Sequence, residues 1–174
     1  MSDQPAAEQQ AIPLVINVQY IKDMSFEVPN APAVFTQPRN NPNVAINLDV
    51  QARRIQEGQP HYEVTLVIRT EATMPGGNGT NGAVPSADAP TQASPVLFVA
   101  ELAYAGVFTL QGVPDQAIEP VLLVECPRLL FPFARNILSD VTRDGGFPPV
   151  LLQPIDFLAL WQARRAQAGQ PPVS

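Results

Sequence analysis

The chain has 174 residues and a formal charge of −6, from 10 Lys and Arg against 16 Asp and Glu. Hydrophobic residues make up 45% and charged residues only 15%, well below the roughly 25% charge of an ordinary soluble domain. Lys22 is the only lysine and the arginines are scattered, which argues against nucleic acid as a main partner; the lone Cys126 excludes an intramolecular disulfide.

Met1 to Gln10 is polar and acidic, without the basic and apolar regions of a signal peptide. The apolar stretches are broken by Glu101, Glu125, Arg128 and several prolines, so no helical membrane span is expected. These features predict a cytoplasmic protein that does not insert into membranes. Residues 1–11 and 167–174 read as disordered tails around one domain, 12–166, interrupted by a flexible insertion over 75–94.

Four segments alternate with the period of a strand. In 14–28, Leu14, Ile16, Val18, Tyr20, Met24, Phe26 and Val28 share one parity, and Asp23, Ser25 and Glu27 share the other. In 44–55, Val44, Ile46, Leu48 and Val50 alternate with Ala45, Asn47, Asp49 and Gln51. In 61–73, Tyr62, Val64, Leu66 and Ile68 alternate with Glu63, Thr65 and Arg69. Glu57-Gly58-Gln59-Pro60 between these two runs predicts a hairpin. The fourth run, 96–110, is apolar on both parities, with Glu101 the single interruption. Such a strand needs cover on both sides, and a partner chain is the expected cover.

The last third turns helical. Asp115 to Val124 predicts a short helix, followed by a helical stripe of Leu130, Ala134, Ile137 and Val141, widened by Phe133 and Leu138 and ended at Gly145 and Gly146. Pro132 is expected in the first turn of that helix, where its missing N–H does no harm. A final helix is expected after an N-cap at Asp156, with Ile155 and Leu160 at staple spacing and Phe157, Leu160 and Trp161 facing inward. Strands followed by helices predict an α+β fold: a four-stranded antiparallel sheet with C-terminal helices packed on one face.

Several patterns resemble catalytic or cofactor motifs without their context. Gly77-Asn78-Gly79-Thr80-Asn81-Gly82 matches G-x-G-x-x-G, but the proline-containing stretch after it cannot open the helix that would hold a pyrophosphate. His61 is the only histidine, so no two-histidine metal site can form, and pairing it with Cys126 as a nucleophile has no support from their surroundings. No Walker A lysine or G-x-S-x-G elbow exists. Neither an enzyme nor a metal or other cofactor is expected. Asp23, Glu27 and Glu101 would form an acidic patch beside Val99 if the first and fourth strands are neighbours. Pattern alone favours a solvated sheet face over a binding surface there.

Three blocks carry a resemblance: Lys22-Asp23-Met24-Ser25-Phe26-Glu27-Val28-Pro29-Asn30-Ala31-Pro32, then Cys126-Pro127-Arg128-Leu129-Leu130-Phe131-Pro132-Phe133-Ala134-Arg135, then Gly146-Phe147-Pro148-Pro149 running through Leu152-Gln153-Pro154-Ile155-Asp156-Phe157-Leu158-Ala159-Leu160. In this order they resemble the SecB family of protein-export chaperones over roughly residues 12–165. The resemblance implies a homotetramer, a dimer of dimers, that holds unfolded preproteins and passes them to the SecA motor without ATP. It implies SecA binding through Asp23, Glu27, Val99 and Glu101, and subunit packing through Phe98, Ala100, Leu102 and Tyr104, where Ala100 and Tyr104 replace the cysteine and glutamine often found. It also implies client grooves beneath loops at about 29–42 and 145–155, lined by Phe35, Phe147, Val150 and Leu152, with Arg39 near the place of a common tryptophan. Many of the prolines fall in those loops: Pro29, Pro32, Pro38, Pro42, Pro148, Pro149 and Pro154. Two other readings share this sequence pattern: a SecB-like chaperone dedicated to one client such as an antitoxin, and a small-ligand-binding oligomer.

Overall fold

A computed structural model describes residues 14–36, 41–75 and 94–168. The expected N-terminal tail, residues 12–13 of the expected domain and the C-terminal tail beyond residue 168 lie outside this set, as do Arg39, Pro38 and almost all of the 75–94 insertion with its glycine motif.

Four strands form one antiparallel sheet in the order β1-β4-β3-β2. They are β1 (Leu14–Glu27), β2 (Asn43–Arg54), β3 (His61–Thr73) and β4 (Val96–Leu110), each within one residue of its expected bounds. The hairpin between β2 and β3 turns at Gly58, whose φ of 74° favours glycine. The central strands β3 and β4 are the most buried, and the register pairs Ile68 with Leu102 and Leu66 with Tyr104.

Strand β1 departs from the simple alternation. Register shifts between Ile16 and Val18 and between Ile21 and Asp23 break its pairing to β4. Val18 and Tyr20 therefore pair with Val107 and Ala105, whereas Met24 and Phe26 pair with Leu102 and Ala100. Since β4 alternates without interruption, Val18 and Tyr20 belong to the same face as Asp23, Ser25 and Glu27. Bulges of this kind switch parity while keeping the strand in the ladder; sequence alternation alone cannot register them.

The helical layer is continuous from Asp115 to Asp144. Helix α1 (Asp115–Pro120) passes into a π-helical turn (Val121–Glu125) and then into α2 (Cys126–Asp144). Pro120 cannot donate to the helical ladder, and the widened turn beyond it closes with the Cys126 N–H donating to the Val121 carbonyl. Pro132 thus lies inside α2 and not in a first turn, because the helix begins well upstream of it. The packing of α2 on the sheet outweighs the lost bond: Leu130, Ala134 and Leu138 are fully buried, and each such leucine contributes about 1.5–3 kcal/mol. Gly106 of β4 leaves room for α2, since an added Cβ there would sit 2.9 Å from Leu130 and 2.8 Å from Phe108.

Helix α3 (Phe157–Ala168) starts where expected and ends two residues past the expected boundary. The Ala159 N–H donates to Asp156 Oδ1 at 3.0 Å, the N-cap bond. Phe157 is buried, and Trp161 packs partly against the core. Arg164 donates to the Val50 carbonyl at 3.1 Å and to the Asp49 carboxylate, which occupies part of the outer edge of β2. No strand among the described residues covers the other edge, along β1.

Candidate functional site

Two regions stand apart from the core: an aromatic cluster at one end of the sheet and the sheet face opposite the helices.

The aromatic cluster is built by the end of α2. Gly145 stops the helix and Gly146 takes a φ of 88°. The Phe147 N–H donates to the Thr142 carbonyl at 3.1 Å and the Gly146 N–H to the Arg143 carbonyl at 3.0 Å, the pair of bonds of a Schellman turn. This turn sets the Phe147 ring 4.9 Å from Phe98, 5.3 Å from Phe35 and 6.3 Å from Phe26. Phe26 in turn stacks on Phe98 at 5.5 Å. Only glycine fits at 145, since a Cβ there would lie 2.2 Å from the Phe26 ring. The stack grades outward, from Phe98 at 1% exposed to Phe35 at 41%. Phe35 belongs to a short 3₁₀ turn, Ala33–Phe35, beyond β1.

Beside this turn lies a cleft of about 190 Å³ lined by Asn30, Ala33, Val34, Met74, Val96 and Leu97 among others. The Asn30 amide donates to the Val96 carbonyl at 2.8 Å and ties the loop to β4. Of the residues expected to line client grooves, Phe35 and Phe147 meet here. Val150 and Leu152 are 8% and 2% exposed, whereas Leu151 between them is 62% exposed. The Val150 N–H donates to the buried Thr142 hydroxyl at 3.0 Å. Val150 and Leu152 therefore anchor the loop to the core, and Leu151 is the apolar side chain it offers to solvent.

The open face gathers the acidic residues. Asp23, Ser25 and Glu27 pair with Ala103, Glu101 and Val99, and β3 adds Arg69 opposite Glu101 and Glu71 opposite Val99. All three expected carboxylates and Val99 thus share one face on adjacent strands. Farther along the same face, Glu63 is nearly buried between three donors. Arg53 Nε donates to Oε2 at 2.5 Å, Lys22 Nζ to the same oxygen at 3.0 Å, and the Tyr20 hydroxyl to Oε1. The Arg53 bond foremost, with the Tyr20 and Lys22 bonds, outweighs desolvation and holds the Glu63 carboxyl down at about 2. The hydrogen bond to Glu63, with burial and then the Glu63 charge, in turn raises the Tyr20 hydroxyl above its ordinary value. Tyr20 reaches Glu63 across β4 because its register partner there is the small Ala105. Nothing in the sequence signals this cluster, whose three donors lie 10 to 43 positions from Glu63.

Phe98, Ala100, Leu102 and Tyr104 occupy the opposite face of β4. At 1%, 1%, 1% and 7% exposed, they are already buried within this chain. The Tyr104 ring stacks on Phe133 at 6.4 Å, and Phe133 is itself half exposed. The helices cover one face of β4; on the other, Val99, Glu101, Ala103 and Val107 are only partly buried within this chain, and Leu97, Ala105 and Thr109 are buried. His61 and Cys126 are separated by the sheet. His61 Nδ1 lies 2.9 Å from Thr109 Oγ1 on the open face, and Cys126 is buried in the core, where desolvation, with the nearby Glu125 charge, pushes its thiol up to about 12. No helix among the described residues is long and apolar enough to cross a membrane.

Comparison with known proteins agrees with this architecture. The family described as "Preprotein translocase subunit SecB" matches residues 7–168. The chain is 62% identical to protein-export protein SecB of Acidiphilium cryptum (strain JF-5) over 165 residues, covering 92% of this chain and 94% of the relative. It is 61% identical to protein-export protein SecB of Granulibacter bethesdensis, covering 92% and 87%, and 47% identical to that of Rhodospirillum rubrum, covering 98% and 93%. Among solved structures, the Mycobacterium tuberculosis Rv1957 SecB-like chaperone, in complex with a ChAD peptide from the Rv1956 HigA1 antitoxin, shares the fold. Its TM-score is 0.59 at 13% identity, covering 82% of this chain and 90% of that one. Three ordered sequence blocks, the 1-4-3-2 sheet under a helical layer, and this identity across nearly the whole chain lead to one conclusion: the chain belongs to the SecB family of protein-export chaperones.

Proposed function

We propose that the protein acts in the cytoplasm as an ATP-independent holding chaperone. It keeps unfolded preproteins extended on its apolar surface and delivers them to SecA. The observation that carries this reading is the graded stack Phe98–Phe147–Phe35 beside the cleft at Asn30 and Val34. A surface of this kind accepts apolar side chains and extended backbone without reading one sequence. Phe35, Phe147 and Leu151 supply the contact, and Val150 and Leu152 hold the loop that carries it.

Binding the unfolded chain but not the folded one retards folding by mass action. Release falls to the partner, and this reading assigns the protein no catalytic step. Asp23, Glu27 and Glu101, with Val99, form the face that meets SecA; the charge favours a cationic surface on that partner.

The homotetramer of this reading uses two apolar surfaces. Val15, Val18, Ile21 and Met24 lie about half exposed along the unpaired edge of β1, and Leu129 and Phe133 of α2 are similarly open, with Ile137 continuing their spacing. An uncovered edge strand of this length invites pairing with another chain, and a second copy satisfies it.

The test is the refolding of a chemically denatured precursor, diluted into buffer with or without the chaperone and with no nucleotide. Refolding slows in proportion to chaperone added. An unchanged rate at stoichiometric excess contradicts the reading.

A further inference from the structure

At the centre of the open face, Arg69 of β3 sits directly opposite Glu101 of β4, and Nη1 donates to Oε2 at 3.3 Å. The two side chains are 52% and 40% exposed, so the pair stands in water and not in the core. It is a single contact, without the paired geometry that makes an Arg–carboxylate bond strong. Asp23 and Glu27, on β1, form no ion pair among the described residues. Lys22 and Arg53, the other cations toward this face, are held by Glu63.

Of the three carboxylates assigned to SecA, Glu101 is thus the one already occupied by a cation of its own chain. We infer that Arg69 is an internal competitor for Glu101, setting the strength of the docking face. An arginine or lysine of the partner must displace the Arg69 guanidinium to reach Glu101. Once displaced, Arg69 leaves a positive charge facing a positive surface, which favours release. An exposed single-contact pair is weak enough to exchange on each encounter. This inference rests on the reading of the acidic face as the SecA surface and adds to it a residue that limits its affinity.

The experiment measures equilibrium binding of purified SecA to the full-length protein and to R69Q, R69T, D23N, E27Q, E101Q and R69Q/E101Q. Thermal melts of each variant confirm folding. Removing Arg69 by either substitution tightens binding about two- to fivefold, the worth of an exposed ion pair, and steepens its salt dependence. In the E101Q background most of that gain disappears. If R69Q and R69T bind as tightly as the unaltered protein or more weakly, while D23N and E27Q bind weakly, the inference about Arg69 falls and the docking face stands. If D23N, E27Q and E101Q all bind normally, the docking face falls and the inference with it.

Discussion

Replacing Glu63 with glutamine removes a charge while keeping the shape that Tyr20, Lys22 and Arg53 surround. The native carboxyl sits at about 2 against an ordinary 4.5, a gap with a ceiling of about 3 kcal/mol at about 1.4 kcal/mol per pH unit. Lys22 and Arg53 are 42% and 66% exposed, and solvent screening of those partners brings the expected contribution to about 1–2 kcal/mol. The folded-state value is depressed, so this stability is fully present above the unfolded value near 4.5 and disappears as pH falls toward about 2. Urea unfolding at fixed protein concentration, from pH 7 down to pH 2.5, reads both effects. At pH 7, E63Q is less stable than the unaltered protein, and the difference closes between about pH 4.5 and about pH 2. A constant difference across that window would refute the assignment of the charge to this cluster.

Three further substitutions separate the roles of the surfaces. G145A forces a Cβ against the Phe26 ring at 2.2 Å; the overpacking costs about 1–3 kcal/mol, seen as a lower urea midpoint, and weakens precursor binding with it. F35S removes the exposed member of the aromatic stack, so precursor affinity measured by fluorescence anisotropy falls several-fold while the melting temperature stays within about 2 °C. F133D places a charge on the half-exposed stripe of Leu129 and Phe133 on α2 and shifts the mass measured by light scattering below that of a tetramer, with far-UV circular dichroism unchanged.

Strand positions were legible because residues 44–50 and 61–68 alternate cleanly and are bounded by turn residues. The two faces of β4 were not. Both parities are apolar, and only the approach of Leu130 to Gly106 decides that Phe98, Ala100, Leu102 and Tyr104 face the helices. The bulges in β1 leave no mark in hydropathy, so Val18 and Tyr20 read as companions of Phe26 although they pair into the opposite face. Pro132 read as a helix start because local rules exclude it from an interior; the long contact of α2 with the sheet overrides that rule. The loop after Gly146 has no periodicity across Pro148 and Pro149, so nothing in the sequence separates the buried Val150 and Leu152 from the exposed Leu151. The carboxylates of the open face were legible as residues and came together on one face only when β1 and β4 proved to be neighbours.

The central claim, that this chain binds preproteins only when unfolded, is tested most directly by light scattering coupled to size exclusion. The protein is run alone, with a denatured precursor, and with the same precursor folded, all without nucleotide. The account predicts a tetramer alone, a tetramer carrying precursor in the second case, and two separate peaks in the third. Equal complex formation with folded and unfolded precursor, or with neither, would contradict it.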